Sequence, residues 1–427
     1  MTPAPRTPRP TRQRATRDPY GLLPRGVPVA AVLSVIGLLV IAAVTFAVGS
    51  GDLPFNVGGG GGSQPGSSSK PDVARTPTPS NEVVVPSPEV PGITVPGMLV
   101  YAKDGNIWIQ SDGRATQLTS NGNDSMPSFS QDGKAVYFVR TRPMDGLWSV
   151  SGTLHKYAMD VPSIMRVTIA GGDISNVHDG LVDPAGSWRW MGFIRGPVVS
   201  PDGRTIAMTS DLPDPTRSDV TLKLLNLKTD KITDLGLQQV PPLGHQDATW
   251  RPDGALLAYV MANRDGAKGT PSIWGWNPAT GKSRAISGPG YLQPSFSPNG
   301  RYIAATKTNA FGTDVVILDA KTGAEITRIT DDGTSWAPSW SPAGDQIAYL
   351  HIEGQVIDLK MAQLDGSAPS WTVKDTIDLT SAAGLDGVSR PGWFIPADQM
   401  PAATPAATPA ATPAATPAAS SSASTAP

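Results

Sequence analysis

The sequence contains no cysteine, which excludes disulfide bridges, cysteine-based zinc sites, thiol nucleophiles and an acylated lipobox cysteine. A surplus of charge is lacking too: 34 Lys and Arg residues stand against 36 Asp and Glu residues, whereas nucleic-acid binding favours a concentrated basic face. Histidine is scarce, with four residues in a chain of 427. Without disulfide bridges, the stability of the fold must come from a hydrophobic core of ordinary size.

Glycine and proline, by contrast, are abundant, with 45 and 43 residues. Together they make up about a fifth of the chain, which is too much for an all-helical protein. Two sources explain such an excess, namely turn-rich β structure and low-complexity linkers. The sequence predicts both.

The N-terminal part predicts a membrane anchor. Residues 1–26 are rich in Pro, Thr and Arg, with six arginines against the single acid Asp18. The stretch Val27–Val48 follows without a charge, and as a helix it would span roughly 33 Å, enough to cross a hydrocarbon core. The alternative is a cleaved signal peptide, but the apolar run is long and the exit at Ala47 is a poor cleavage site. The preceding arginines place the N-terminus in the cytoplasm and the rest of the chain outside it.

Two low-complexity segments flank the central region. Residues 49–91 contain five consecutive glycines and a Ser- and Pro-rich stretch, which predicts a flexible tether. Residues 397–427 form a Pro-Ala-Ala-Thr tract, which favours extended conformations. The expected folded domain is therefore residues 92–396.

This central region contains a repeat. Five segments share a Pro or small residue, an aromatic residue or Val, a turn of the Ser-Pro-Asp-Gly type and a short alternating apolar strand; they begin at Pro127, Pro197, Ala248, Pro294 and Pro338. The successive spacings are 70, 51, 46 and 44 residues. Such periods, with two further strands expected in each unit, are typical of β-propeller blades.

The ends of the region predict the number of blades. The stretch Met98–Thr119 supplies three strands of a blade without the first, and Ser389–Pro396 reads as a first strand with no blade behind it. Joining them completes a sixth blade and closes the ring, which removes exposed sheet edges. The predicted fold is all-β: a six-bladed β-propeller with a split closing blade.

The repeats at Ser200–Asp211 and Pro294–Thr308 resemble the WD40-like repeats of the TolB family. The resemblance covers about 98–396 and implies a propeller that binds proteins. TolB-like proteins carry an α/β domain before the propeller, whereas here the apolar span and the tether occupy that place. The family's particular partners are therefore not transferred to this chain.

Catalytic interpretations find little support in the motifs. A prolyl-oligopeptidase-type enzyme needs a Gly-x-Ser-x-Gly elbow, which is missing, and the aspartates of the repeats read as turn residues. The loop histidines His155, His178 and His245 form a metal site only if the fold brings them together. No metal or other cofactor is expected.

Two insertions in the second blade predict the binding surface. They cover about 140–161 and 179–195, both are expected as irregular loops, and both leave the blade on the same face. We expect the ligand-binding face to comprise Trp148, His155, Tyr157, Trp188, Trp190 and Arg195 from the insertions, with His245, Asp247, Tyr291, Trp336 and Arg390 around the central channel. Packing of the Trp side chains against the blade is the alternative.

The expected function is that of a membrane-anchored, non-catalytic scaffold outside the cytoplasm that binds a protein or peptide, because Trp, Tyr and Arg dominate binding hot spots. Two alternatives remain at this point. One is a module that binds glycan or cell-wall polysaccharide through the same rings. The other is a metal-dependent lyase or hydrolase that uses the channel.

Overall fold

The computed structural model describes residues 89–90, 92–184, 188–237, 244–261, 271–366 and 369–400. All regular structure in these ranges is β-strand. No helix long and apolar enough to span a membrane occurs among the described residues. The predicted cytoplasmic segment 1–26 and the span Val27–Val48 lie outside them, as do nearly all of the tether 49–91 and most of the tail 397–427.

Twenty-six strands follow one another along the described part of the chain. The first nine are β1 Met98–Lys103, β2 Asn106–Ser111, β3 Arg114–Gln117, β4 Asp124–Phe129, β5 Ala135–Val150, β6 Thr153–Thr168, β7 Ile174–Asp179, β8 Leu181–Val182 and β9 Trp190–Met191. The next eight are β10 Ile194–Val199, β11 Thr205–Ser210, β12 Thr221–Asn226, β13 Ile232–Asp234, β14 His245–Trp250, β15 Leu257–Met261, β16 Ser272–Asn277 and β17 Lys282–Pro289. The last nine are β18 Tyr291–Phe296, β19 Tyr302–Thr308, β20 Thr313–Asp319, β21 Glu325–Arg328, β22 Ser335–Trp340, β23 Gln346–Glu353, β24 Val356–Asp365, β25 Thr372–Asp378 and β26 Gly392–Phe394.

Six four-stranded antiparallel sheets form the blades of a propeller, as the repeat predicts. Blade 1 has the order β26-β1-β2-β3, and blades 2 to 6 are β4–β7, β10–β13, β14–β17, β18–β21 and β22–β25. In blade 1 the last strand pairs with the first, with Leu99 opposite Trp393 and Val100 opposite Gly392. The predicted split blade is confirmed. The indole Nε1 of Trp393 also donates to the carbonyl oxygen of Pro96 at 2.9 Å.

The core lies between neighbouring blades. Strand β1 illustrates this, because its side chains alternate between two buried faces. Leu99 and Tyr101 belong to the cluster shared with blade 6, whereas Val100 and Ala102 belong to the cluster shared with blade 2. A single blade therefore leaves both of its faces exposed, and only stacking in a ring buries them.

The repeated turn explains the Ser-x-Asp-Gly pattern. In blade 2, Ser130 Oγ donates to Asp132 Oδ1 at 2.7 Å and accepts the backbone N–H of Ala135 at 3.0 Å. Gly133 adopts φ +66°, a conformation that favours glycine. The side-chain hydrogen bond from Ser130 holds the pKa of Asp132 below its usual range. This aspartate is a turn residue, as the sequence indicates.

The first insertion is not an irregular loop, and this expectation was wrong. Strands β5 and β6 stay paired from Ala135 opposite Thr168 to Val150 opposite Thr153. Ser151 and Gly152 form the turn, and both have positive φ, as a tight two-residue hairpin turn requires. The innermost strand β4 pairs only as far as Arg140. Residues 141–162 therefore form a hairpin that extends about 30 Å beyond the blade, which we call the arm.

Candidate functional site

The second insertion is bound to the arm. The backbone N–H groups of Leu147 and Arg189 each donate to the other residue's carbonyl oxygen, both at 2.8 Å. Strands β8 and β9 form a short ribbon in which Val182 lies opposite Trp190. The connection between blades 2 and 3 thus returns along the free inner edge of β5, and the two insertions form one unit.

Three tryptophans meet at this junction. The ring centroid of Trp148 lies 5.8 Å from that of Trp188 and 5.6 Å from that of Trp190. His155 lies directly opposite Trp148 on the neighbouring strand, and its ring is 6.5 Å from that of Tyr157. Residues opposite each other in a sheet, and residues two apart in one strand, share a face. We call this set the aromatic patch: Trp148, His155, Tyr157, Trp188 and Trp190.

The patch is only partly covered. Trp148 retains 37% of its accessible surface and Tyr157 retains 40%, while Trp188 and Trp190 are half-buried. From sequence alone, these tryptophans could either pack against the blade or contact a ligand. Trp188 and Trp190 pack against Trp148 from the side, and Trp148 remains partly open to solvent.

Two ion pairs fix the base of this unit. Arg142 donates from Nη2 to both carboxylate oxygens of Asp179, at 2.9 and 2.7 Å. Arg189 donates from Nε to Asp183 Oδ2 at 2.8 Å. The first pair joins the arm to the end of β7, and the second closes the ribbon on itself. These ion pairs therefore restrict the movement of the two insertions that carry the aromatic patch.

Exposed apolar side chains gather on the same face of the ring. In a four-stranded blade, the connection between the second and third strands and the link to the next blade lie on one face, which we call the insertion face. Within the described propeller, six of the seven large apolar side chains classed as exposed lie there: Trp148, Val150, Leu154, Tyr157, Phe311 and Val356. The seventh, Ile174, begins β7, directly after the connection between the third and fourth strands of blade 2. Large exposed apolar groups concentrated on one side mark an interaction surface.

The central channel is lined by a repeated position in the innermost strands. Five of the six innermost strands have a bulge near their start, occupied by Met126, Gly196, Asp247, Gln293 and Ala337, all with φ between 49° and 54°. Arg390, which precedes Pro391, holds the corresponding place in blade 1. Hydrogen bonds link some of these positions around the ring. Ala337 N–H donates to Gln293 Oε1 at 3.0 Å, and Gly196 N–H donates to Met126 Sδ at 3.3 Å.

Arg390 crosses the channel. Its Nη1 donates to the carbonyl oxygen of Pro294 at 2.6 Å, and its Nη2 donates to that of Ala248 at 2.9 Å. These acceptors belong to blades 5 and 4, and blade 4 lies opposite blade 1 in a ring of six. Burial in the channel lowers the pKa of the guanidinium, although the charge of Asp247 opposes this effect.

Asp247 is the acidic group of the channel. Burial raises the pKa of its carboxyl group, while the charges of Arg390 and Arg195 and a hydrogen bond from the backbone of Gln293 act in the opposite direction. Arg195 lies on β10 of the preceding blade and is half-buried. The structure thus brings two of the predicted channel residues, Asp247 and Arg390, into electrostatic contact with Arg195 from the second insertion.

The other predicted channel residues lie elsewhere. His245 is fully buried, with its ring 5.2 Å from that of Tyr259, and Trp336 is 8% exposed and donates from Nε1 to the carbonyl oxygen of Gly387 at 2.9 Å. Tyr291 is half-buried and donates from its hydroxyl to Glu325 at 3.1 Å. His245 and Trp336 pack between blades, so they offer no surface to a ligand in this conformation.

The loop histidines do not come together. His155 lies on the arm, His245 lies in the core, and His178 Nδ1 lies 2.6 Å from Asp230 Oδ1 between blades 2 and 3. Within the described ranges, no group of three His, Asp or Glu side chains is arranged to hold a metal ion.

Four residues of this unit were not predicted as part of the binding face. They are the exposed side chains Val150 and Leu154 of the arm and the ion-pair residues Arg142 and Asp179. The Ser151-Gly152 dipeptide between two apolar-containing stretches is a hairpin signal that would have placed them.

A comparison with known protein families finds a match over residues 187–381 to the TolB beta propeller domain. A curated relative, an uncharacterized protein of Agrobacterium fabrum, is 24% identical over 266 residues, which cover 50% of this chain and 85% of the relative.

Comparison with solved structures finds similar propellers. TolB from Acinetobacter baumannii superposes with a TM-score of 0.50 at 18% identity, covering 69% of this chain and 66% of that one, slightly less than two thirds of its length. A putative TolB from Agrobacterium tumefaciens gives a TM-score of 0.46 at 15% identity, covering 72% of this chain and 96% of that one. At such identities the likeness concerns the fold alone.

Proposed function

The chain contains a TolB-like six-bladed β-propeller, and we propose that it is a non-catalytic scaffold that binds a protein or peptide through the insertion face. The observation that carries this proposal is the aromatic patch. Trp148 and Tyr157 are each more than a third exposed, they lie on an arm that leaves the blade, and neighbouring tryptophans hold Trp148 in place. Pre-positioned aromatic side chains contribute affinity because little conformational entropy is lost when they are covered.

The ring geometry favours a protein over a glycan. A platform for sugar stacking would present parallel exposed rings, whereas Trp188 and Trp190 are inclined to Trp148 by 68° and 56°. Edge-to-face packing leaves an uneven apolar surface, and the exposed side chain of Val150, two residues from Trp148 on the same face of the arm, enlarges it. Such a surface suits the apolar side chains of a partner protein.

A scaffold role also agrees with the polar groups. The aspartates of the repeats are engaged in turns, and the arginine of the channel is engaged by backbone carbonyls. The proposal includes a location outside the cytoplasm on a membrane anchor at Val27–Val48, which rests on the sequence. A tether of about 45 residues would have a root-mean-square span near 35–40 Å, enough to hold the propeller clear of a bilayer surface.

The proposal is tested by comparative capture from the cells that produce the chain, with the full-length protein as bait. The double variant W148A/Y157A removes the two exposed rings of the patch. The matched control is Ile174→Ala, because Ile174 is 39% exposed in the same blade but lies outside the insertion face. We expect one protein to be captured by the wild-type chain and the control, and binding by the double variant to be weaker by about thirtyfold or more, as for loss of a hot spot.

The same protein must bind the purified chain directly. Equal binding by W148A/Y157A would contradict the assignment of the patch. Retention of the chain on cell-wall polysaccharide without a captured protein would replace a protein partner with a glycan.

A further inference from the structure

The outer edge of the arm has unpaired backbone groups. Strand β7 pairs with β6 from Val167 only as far as Ser163, which lies opposite Asp179. One more hydrogen bond follows, from Gly180 N–H to the carbonyl oxygen of Pro162 at 2.9 Å. Beyond that point, no strand in the described part of the chain pairs with the outer edge of residues 154–160.

The register identifies which groups point outward. Leu147 turns its N–H and carbonyl oxygen away from β6 and toward Arg189, so its partner Lys156 turns its own groups toward the opposite, outer side. Because the direction alternates along a strand, the outward groups belong to Leu154, Lys156, Ala158 and Asp160. Free edges of this kind pair readily with another extended chain.

This edge is complementary to itself. An antiparallel copy centred on Ala158 places Ala158 opposite Ala158 of the partner subunit, and Lys156 opposite Asp160 of the partner subunit. Both opposite-charge pairs form because the arrangement is symmetric, and a small side chain occupies the centre. We infer that two copies of this chain associate edge to edge through residues 156–160 of the arm, forming a continuous four-stranded sheet.

The charges also fit another interpretation, because Lys and Asp on an edge strand discourage pairing in general. An edge that prevents pairing with its own copy would carry charges of one sign. Here Lys156 and Asp160 have opposite charges and each lies two residues from Ala158. The existing contact of Lys156 is weak, since it lies 3.5 Å from Asp145 with both side chains more than 60% exposed. Lys156 can therefore leave Asp145 and pair with Asp160 of the partner subunit at little cost in free energy.

The symmetry has a consequence for binding. The two-fold axis is perpendicular to the sheet, so both aromatic patches lie on the same side of it. A partner with two binding segments would then engage both copies and gain affinity through effective concentration. The self-association itself does not depend on the proposed binding function.

The decisive variant is Ala158→Pro in the full chain. The N–H of Ala158 points outward, so proline removes it without breaking the hydrogen bonds within the hairpin, and proline is tolerated at a sheet edge. Both backbone hydrogen bonds between the two Ala158 residues are lost, because each copy donates one of them. The matched control is Ala158→Ser, which keeps the N–H. Sedimentation equilibrium should show a dimer for the wild type and the control, with the dimer dissociation constant of A158P raised about tenfold or more.

A charge exchange tests the register. In Lys156→Asp two aspartates face each other at each end of the interface, so the dimer should weaken, and the double exchange K156D/D160K should restore it. A wild-type chain that stays monomeric up to its solubility limit overturns the inference. An unchanged dissociation constant in A158P overturns it as well, and failure of the double exchange to restore the dimer overturns the register and with it this interface.

Discussion

The guanidinium group of Arg390 donates a hydrogen bond across the central channel to the carbonyl oxygen of Ala248, at 2.9 Å. Arg390 belongs to the last segment of the propeller and Ala248 to the blade on the opposite side. The interaction therefore ties the closing strand to the far wall of the ring, and it adds to the backbone pairing of β26 with β1.

We expect Arg390→Ala to destabilise the propeller by about 2–4 kcal/mol, because two charge-assisted hydrogen bonds are lost and two channel carbonyls lose their donor. The measurement is urea-induced unfolding followed by circular dichroism. Arg217→Ala is the matched control, because the side chain of Arg217 is 86% exposed and its nearest acid is 3.8 Å away. Equal unfolding midpoints for the two variants would contradict the role of Arg390 across the channel.

Asp247 should give the propeller a characteristic pH dependence. Burial raises the pKa of its carboxyl group in the folded state above the usual 3.8, so the folded state holds this proton more tightly than the unfolded state. Its contribution is fully present below pH 3.8 and is lost as the pH rises through the raised pKa. The free energy of unfolding of the wild type, minus that of Asp247→Asn, should therefore increase as the pH falls through this window. Unfolding at a series of pH values checks this, and a difference of the opposite slope would contradict it.

Gly133 should be more sensitive to substitution than an equivalent glycine elsewhere. A Cβ at Gly133 would lie 2.1 Å from the ring of Phe394, on the closing strand, whereas a Cβ at Gly254 in the same turn of blade 4 meets nothing within 4 Å. Both residues have positive φ, +66° and +70°, so alanine costs about 1 kcal/mol at either position. Gly133→Ala should lose further stability in thermal unfolding, and this excess should vanish in a Phe394→Ala background. Equal losses in the wild-type background would show that the ring is not constrained there.

The fold was predictable because five of the six blades carry the same kind of turn signal. The side-chain hydrogen bonds of these turns, such as Ser130–Asp132, Ser200–Asp202 and Ser297–Asn299, are local and do not depend on the rest of the molecule, so the pattern is visible in sequence. The split blade followed from counting strands at the two ends, and the pairing of Leu99 with Trp393 confirms it.

The site was harder to predict, because its geometry depends on contacts between distant segments. An irregular loop was expected at 140–161 because the insertion is long. The segment is instead a hairpin, because Ser151 and Gly152 form a tight turn and the strands on either side of it stay paired. His245 is the first residue of β14 and Trp336 the second residue of β22, and the sequence predicted both around the central channel. Both are buried, because the ring of His245 packs against Tyr259 and the ring of Trp336 packs in the core between blades 6 and 1.

The split blade also sets the order of events during synthesis. Strands β1, β2 and β3 leave the ribosome first, but the edge of β1 at Leu99 and Val100 stays open until Trp393 has been made, nearly 300 residues later. The edge of β1 therefore has unpaired backbone N–H and carbonyl groups during most of translation, and the ring closes only at the end. A chaperone that occupies the edge of β1 during this interval would protect the unfinished chain from pairing with its neighbours on the same messenger RNA.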